Sequence, residues 1–117
     1  ATSFNQNINS WNVSNVFAMP FMFLDAISFN QNLNSWNVSS VFDMNGMFAG
    51  ATSFNQNINS WNVSNVDFMD DMFNGATAFN QDISGWDTSR VTFCRNFSYN
   101  TNPNWSAVAK PSLNCPQ

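Results

Sequence analysis

At 117 residues the chain has room for one domain, and its 44% apolar content, with 13 Phe, 5 Trp and 6 Met, is enough to fill one elongated core. Charge is scarce at 9%: all seven acids are Asp, the only bases are Arg90, Arg95 and Lys110, and the net charge of −4 excludes the basic footprint of a nucleic-acid binder. There is no His, no Glu, no glycine-rich phosphate loop and no metal-ligand cluster, so an enzyme, a resident cofactor and a metal are not expected.

The 22 Asn, together with Ser, supply the polar surface that Lys and Glu supply in ordinary cytosolic domains, which points to a secreted or cell-surface protein. The longest apolar run, Val16 to Leu24, is broken by Pro20 and falls short of the roughly 18 residues a membrane helix needs, so no membrane span is expected. The chain opens at Ala1 with neither an initiator Met nor a targeting segment, and reads as a mature chain or an excised fragment.

An offset of 25 residues aligns the chain with itself, pairing Ala1, Ala26, Ala51 and Ala76, then Phe4, Phe29, Phe54 and Phe79, each Phe followed by Asn-Gln. Ile8/Leu33/Ile58/Ile83, Trp11/Trp36/Trp61/Trp86 and Val16/Val41/Val66/Val91 keep the same register, and residues 1–16 and 51–66 are identical. A fixed period of this size is the mark of a solenoid, whose units gain a core only by stacking. The expected organisation is four turns, 1–25, 26–50, 51–75 and 76–100, followed by a C-terminal cap over 101–117.

Within each turn Ile8-x-x-Trp11-x-Val13 predicts a short strand with Asn12 facing outward, the strands stacking into a narrow parallel sheet. Ser14, Ser39, Ser64 or Ser89 then caps a short helical segment carrying Val16, Met19, Met22 and Phe23, with Pro20 kinking the first of these. Gly50 and Gly75, and in the other turns Asp25 and Asn100, fall where a left-handed residue would end that segment. The fold class is therefore an α/β repeat solenoid.

The polar copies of Asn5-Gln6 are expected to form a structural amide ladder, and the Trp ladder to pack in the core rather than to stack sugars. Asn12, Asn37, Asn62, Asn96 and Asn104 each begin an N-x-S sequon and are N-glycan acceptors if a eukaryotic cell exports the chain, with Asn96 and Asn104 the better spaced. In turn one the outward helix positions read Phe17, Pro20, Phe21 and Leu24, where turn three has Asp67, Asp70, Asp71 and Asn74. That apolar surface calls for a covering partner. Asp67 suits a helix N-terminus and the two aspartates after it face water, which is preferred to a calcium site.

Beyond residue 100, Pro103, Trp105, Pro111 and Pro116 leave the repeat and read as a lid. A bridge between Cys94 and Cys115 would tie it to the last turn, stabilise the chain by about 3 kcal/mol and place it outside the cytosol.

The pattern A-x-x-F-N-Q-x-I-x-x-W-x-V-S-x-V-x-x-M-x-x-M-F resembles the bacterial surface-protein repeat of 25 or 26 residues, a domain of unknown function in lipoproteins and cell-wall proteins, and is similar in outline to BspA-like leucine-rich repeats. The resemblance implies a leucine-rich-repeat-like solenoid on a cell surface, with adhesion as its role and no catalytic residues. Asp87-Thr88, Cys94 and Phe97-Ser98 depart from the pattern in the last turn, as a terminal repeat does.

The leading expectation is a non-enzymatic extracellular module, structural or adhesive, that contacts a protein partner or copies of itself through turn one and stacks end to end into a filament. A rival is a monomeric adhesin that binds a glycan or host protein on a sheet face bearing Asn12, Asn37 and Asn62. A third is a binder of ice or crystalline polysaccharide on the same face.

Overall fold

The three-residue steps in the apolar pattern decide the backbone. A turn closes each of them: the N–H of Trp11 donates to the Ile8 carbonyl and that of Val16 to the Val13 carbonyl, both at 3.0 Å. The pair recurs at Leu33/Trp36 and Val38/Val41, at Ile58/Trp61 and Val63/Val66, and at Ile83/Trp86 and Thr88/Val91. Asn side chains brace these turns. Asn7 Oδ1 accepts the Asn9 N–H at 3.1 Å and Asn12 Oδ1 the Ser14 N–H at 3.0 Å. A strand needs a period of two, and a step of three breaks it.

The stretch after Val16 is not a helix either. Met19, Phe21, Phe23 and Asp25 donate their N–H groups to the carbonyls of Asp43, Asn45, Met47 and Ala49 in the next repeat, at 2.8–2.9 Å. A helix would need those donors for its own carbonyls. Phe21 (φ 58°) and Asp25 (φ 54°) also lie in the left-handed region, which ends any right-handed run.

The computed structural model describes residues 2–116; Ala1, at the head of the first repeat, and Gln117 lie outside the described residues. Among the described residues the helical structure is one 3₁₀ turn, Ala107–Ala109, and the β pairing is three isolated parallel bridges, Ala18 with Asp43, Asp43 with Phe68 and Phe68 with Phe93. This overturns the expected α/β repeat solenoid and its leucine-rich-repeat likeness. Among the described residues there is no parallel sheet and no helical layer, Ser14 caps no helix, and the body is compact at 34 × 33 × 20 Å.

What the 25-residue period dictates is a set of tiers laid on one another by turn-to-turn bonds. Met44, Gly46, Phe48 and Gly50 donate to Phe68, Asp70, Met72 and Asn74, and Met69, Asp71, Phe73 and Gly75 donate to Phe93, Arg95, Phe97 and Tyr99. A second seam runs through side chains. Asn5 Oδ1 accepts the Asn30 N–H at 2.9 Å while Gln31 Nε2 donates to the Asn5 carbonyl at 3.1 Å, and the same pair recurs at Asn30 with Asn55 and Gln56 and at Asn55 with Asn80 and Gln81.

Aromatic columns fill the interior between these seams. Phe4, Phe29, Phe54 and Phe79 stack at 5.6–5.9 Å, Phe23, Phe48 and Phe73 at 5.5 Å, and Trp36, Trp61 and Trp86 at 6.3–6.4 Å. Each such pair contributes about 0.5–1.5 kcal/mol beyond burial. Trp105 closes the column at the far end, set edge-on to Phe73 and Phe79 at 5.4 and 5.0 Å. Its indole donates to the Gln81 carbonyl at 2.9 Å, and Lys110 Nζ sits 5.2 Å from its ring centre. Cys94 and Cys115 are joined, Cα atoms 5.8 Å apart, which ties the last described residues to tier four.

Candidate functional site

The two ends of the stack differ, and the tryptophans show how. Trp36, Trp61 and Trp86 are buried, and each indole donates to a carbonyl of the tier before it, those of Ile8, Leu33 and Ile58, at 3.0–3.1 Å. Trp11 holds the same place in tier one but is 54% exposed, against 3–5% for the other three. Two adjoining cavities of about 600 and 270 Å³ open beside it, one bordered by Val13, Val16 and Met19, the other by Ile8 and Phe23, and Met22 shares both. No described residue covers this face of the core.

The expected interface residues are split by the fold. Pro20 borders the larger cavity and Leu24 the smaller. Phe17 is 66% exposed on the flank beside the Ala18 bridge. Phe21 turns toward tier two, where its ring lies over Gly46. Trp11 and Met22 belong to the site and were assigned to the core by the repeat pattern. What sets Trp11 apart is the direction of the indole bond, from each Trp to the tier before it, and the sequence does not carry that direction.

The acidic cluster is structural, and Asp67 stands at no helix N-terminus. Its carboxylate takes the Thr92 hydroxyl, Asp70 Oδ1 accepts the Arg95 N–H at 2.8 Å, and Asp71 Oδ1 accepts Asn74 Nδ2 at 2.9 Å. No group of three His, Cys, Asp or Glu among the described residues could hold a metal ion. Asn12, Asn37 and Asn62 are exposed, but they lie on Asx turns rather than on a sheet, their Oδ1 atoms accepting the N–H groups of Ser14, Ser39 and Ser64 at 3.0 Å. Asn96 is exposed in a left-handed conformation (φ 55°), and Asn104 is exposed with its N–H on Asn102 Oδ1. In tier four Asp82 and Asp87 replace the turn-bracing asparagines. Hydrogen bonds from Ser84 and Ser89, side chain first and backbone second, hold their carboxyls below the usual range.

A family described as Mycoplasma protein of unknown function, DUF285, matches residues 1–108. The chain belongs to that family. The match replaces the resemblance to the BspA-like surface-protein repeat, which the absence of any sheet among the described residues also contradicts. No curated protein and no solved structure matches the chain. In this DUF285 chain no helix among the described residues is long and apolar enough to cross a membrane.

Proposed function

We propose that the chain is a non-enzymatic extracellular module, structural or adhesive, that works by protein–protein contact through tier one. The observation that supports this most directly is the difference between Trp11 and its three buried counterparts. An aromatic of the core repeat stands open beside two apolar cavities, with Leu24 exposed at the margin of one and Phe17 exposed on the flank. Contiguous apolar surface of this kind is the usual mark of a protein contact. The disulfide and the scarcity of charge favour an oxidising, extracellular setting.

The test is photo-crosslinking from intact cells that display the chain, with a benzoylphenylalanine placed at Phe17 or Leu24 and, as control, at Asn57. Protein adducts from the two tier-one positions and none from the control are expected. Absence of protein adducts at tier one would refute the reading.

A further inference from the structure

We infer that the flank of the stack, from tier two to tier four, carries a binding site for a neutral hexopyranose, formed by Phe42, Asn65, Asp67 and Arg90. This face is separate from the tier-one contact, and its ligand is independent of that reading.

The four side chains line a cavity of about 360 Å³. That is the small end of ligand sites, which span roughly 300–1,000 Å³. Phe42 and Asp67 hold the same repeat position in tiers two and three, and Asn65 and Arg90 share another in tiers three and four. One tier earlier the equivalent set is Phe17, Ser40, Phe42 and Asn65, which contains no ionised group. Repetition alone therefore does not bring an aromatic ring, a carboxylate and a guanidinium together. The departures from the repeat at Asp67 and Arg90 do.

The seams hold these groups in place. The Phe42 N–H donates to the Phe17 carbonyl at 2.8 Å, and the Phe42 carbonyl accepts the N–H groups of Asp67 and Phe68 at 2.9 and 3.2 Å. Asn65 Nδ2 donates to the Ser39 carbonyl at 2.6 Å, and its Oδ1 accepts Arg90 Nη1 at 3.4 Å. Asp67 Oδ1 accepts the Thr92 hydroxyl, while Oδ2 accepts no hydrogen bond among the described residues. Donors and acceptors fixed in advance lower the ordering cost of holding a small polar ligand.

A pyranose has an apolar face of C–H bonds and a rim of hydroxyls that donate and accept. The Phe42 ring is 46% exposed, in a T-shaped rather than a stacked contact with Phe68, and the negative face of an aromatic ring attracts such C–H groups. Asp67 Oδ2 is free to accept from sugar hydroxyls. The Arg90 guanidinium has N–H donors beyond the one that reaches Asn65, and these suit sugar oxygens. Charge selects a neutral ring. A phosphate or uronate that gained Arg90 would face Asp67 and a chain of net charge −4, and an amine that gained Asp67 would face Arg90. A neutral polyol satisfies both groups at once.

The test is saturation-transfer difference NMR on the full chain with the methyl glycosides of glucose, galactose and mannose, titrated into the tens of millimolar. At least one is expected to receive saturation at its ring C–H protons, with a Kd in the millimolar range. Phe42→Ala and Asp67→Asn should each weaken that binding by about fivefold or more. Phe93→Ala, which removes a half-exposed aromatic outside the cavity, should leave it unchanged. Thermal unfolding checks that Phe42→Ala is folded; should it melt early, Arg90→Ala, at an exposed position, carries the same expectation. Three results would overturn the inference: no transfer to any of the glycosides, transfer that survives these substitutions in a folded chain, or tighter binding of glucuronate or glucosamine than of methyl glucoside.

Discussion

The indole of Trp36 donates to the carbonyl of Ile8 at 3.0 Å, joining tier two to tier one through the middle of an apolar core. Trp61 and Leu33 repeat the relationship one tier later, also at 3.0 Å. Trp61→Phe keeps most of the aromatic column but removes one of the two donors to the Leu33 carbonyl, which retains the Trp36 N–H at 3.1 Å, at a cost of about 0.5–1.5 kcal/mol. Trp11→Phe breaks no such bond among the described residues and should change stability by less than about 0.5 kcal/mol. Urea unfolding of the two variants checks the difference.

Phe21 and Gly46 form a second pair. Gly46 has φ 60°, and a Cβ built on it would collide with the Phe21 ring. Gly75 has φ 76° but meets only ordinary contacts from Gly50. Gly75→Ala should therefore cost about 1–2 kcal/mol for the left-handed backbone alone. Gly46→Ala should cost clearly more, and adding Phe21→Ala should recover the difference. Melting temperatures of the three variants decide this.

Acid should weaken tier four first. Asp82 and Asp87 titrate below the usual carboxylate range in the folded chain, so the unfolded chain binds more protons between the two values and stability falls as the pH is lowered through that interval. Replacing both with Asn, the residue at the equivalent places in tiers one to three, keeps an acceptor for Ser84 and Ser89 and should flatten the acid limb. A pH series of thermal unfolding for the two chains measures it.

The lid depends on its bond to tier four. Cys94 and Cys115 are 21 residues apart, a closure that contributes about 3 kcal/mol. Reduction, or Cys115→Ser, should lower stability by about that amount and speed hydrogen exchange at the Ile83 N–H, which the lid carbonyl of Ala109 accepts at 2.9 Å.

The period, the core membership of Phe29, Ile58 and Val66 and the left-handed slot at Gly50 and Gly75 were legible in the sequence, because they follow from repetition, apolarity and glycine. The element types were not. Ile8-x-x-Trp11 suits a turn better than a strand because of its odd step, and Val16 to Phe23 has helical spacing while its alternate N–H groups go to the next tier. Periodicity reports which side chains face inward and says nothing of where the backbone donors point. The other left-handed slot, held by Phe21, Gly46, Asp71 and Asn96, carries no common residue type that would reveal it. The site was half legible for a similar reason: Pro20 and Leu24 stood out by composition, whereas Trp11 looks like every other Trp in the column until the direction of its bond is known.

Met22 offers the most direct test of the open end as a contact face. It is 39% exposed, while Met47 and Met72 in the next two tiers are fully buried. Hydroxyl-radical footprinting with mass spectrometry would compare Met22 oxidation in the isolated chain with that in the chain on intact cells. Fast oxidation of Met22 in the isolated chain and strong protection on the cell are expected, with Met47 and Met72 slow in both. Met22 oxidising as fast on the cell as in isolation would contradict a contact at this end.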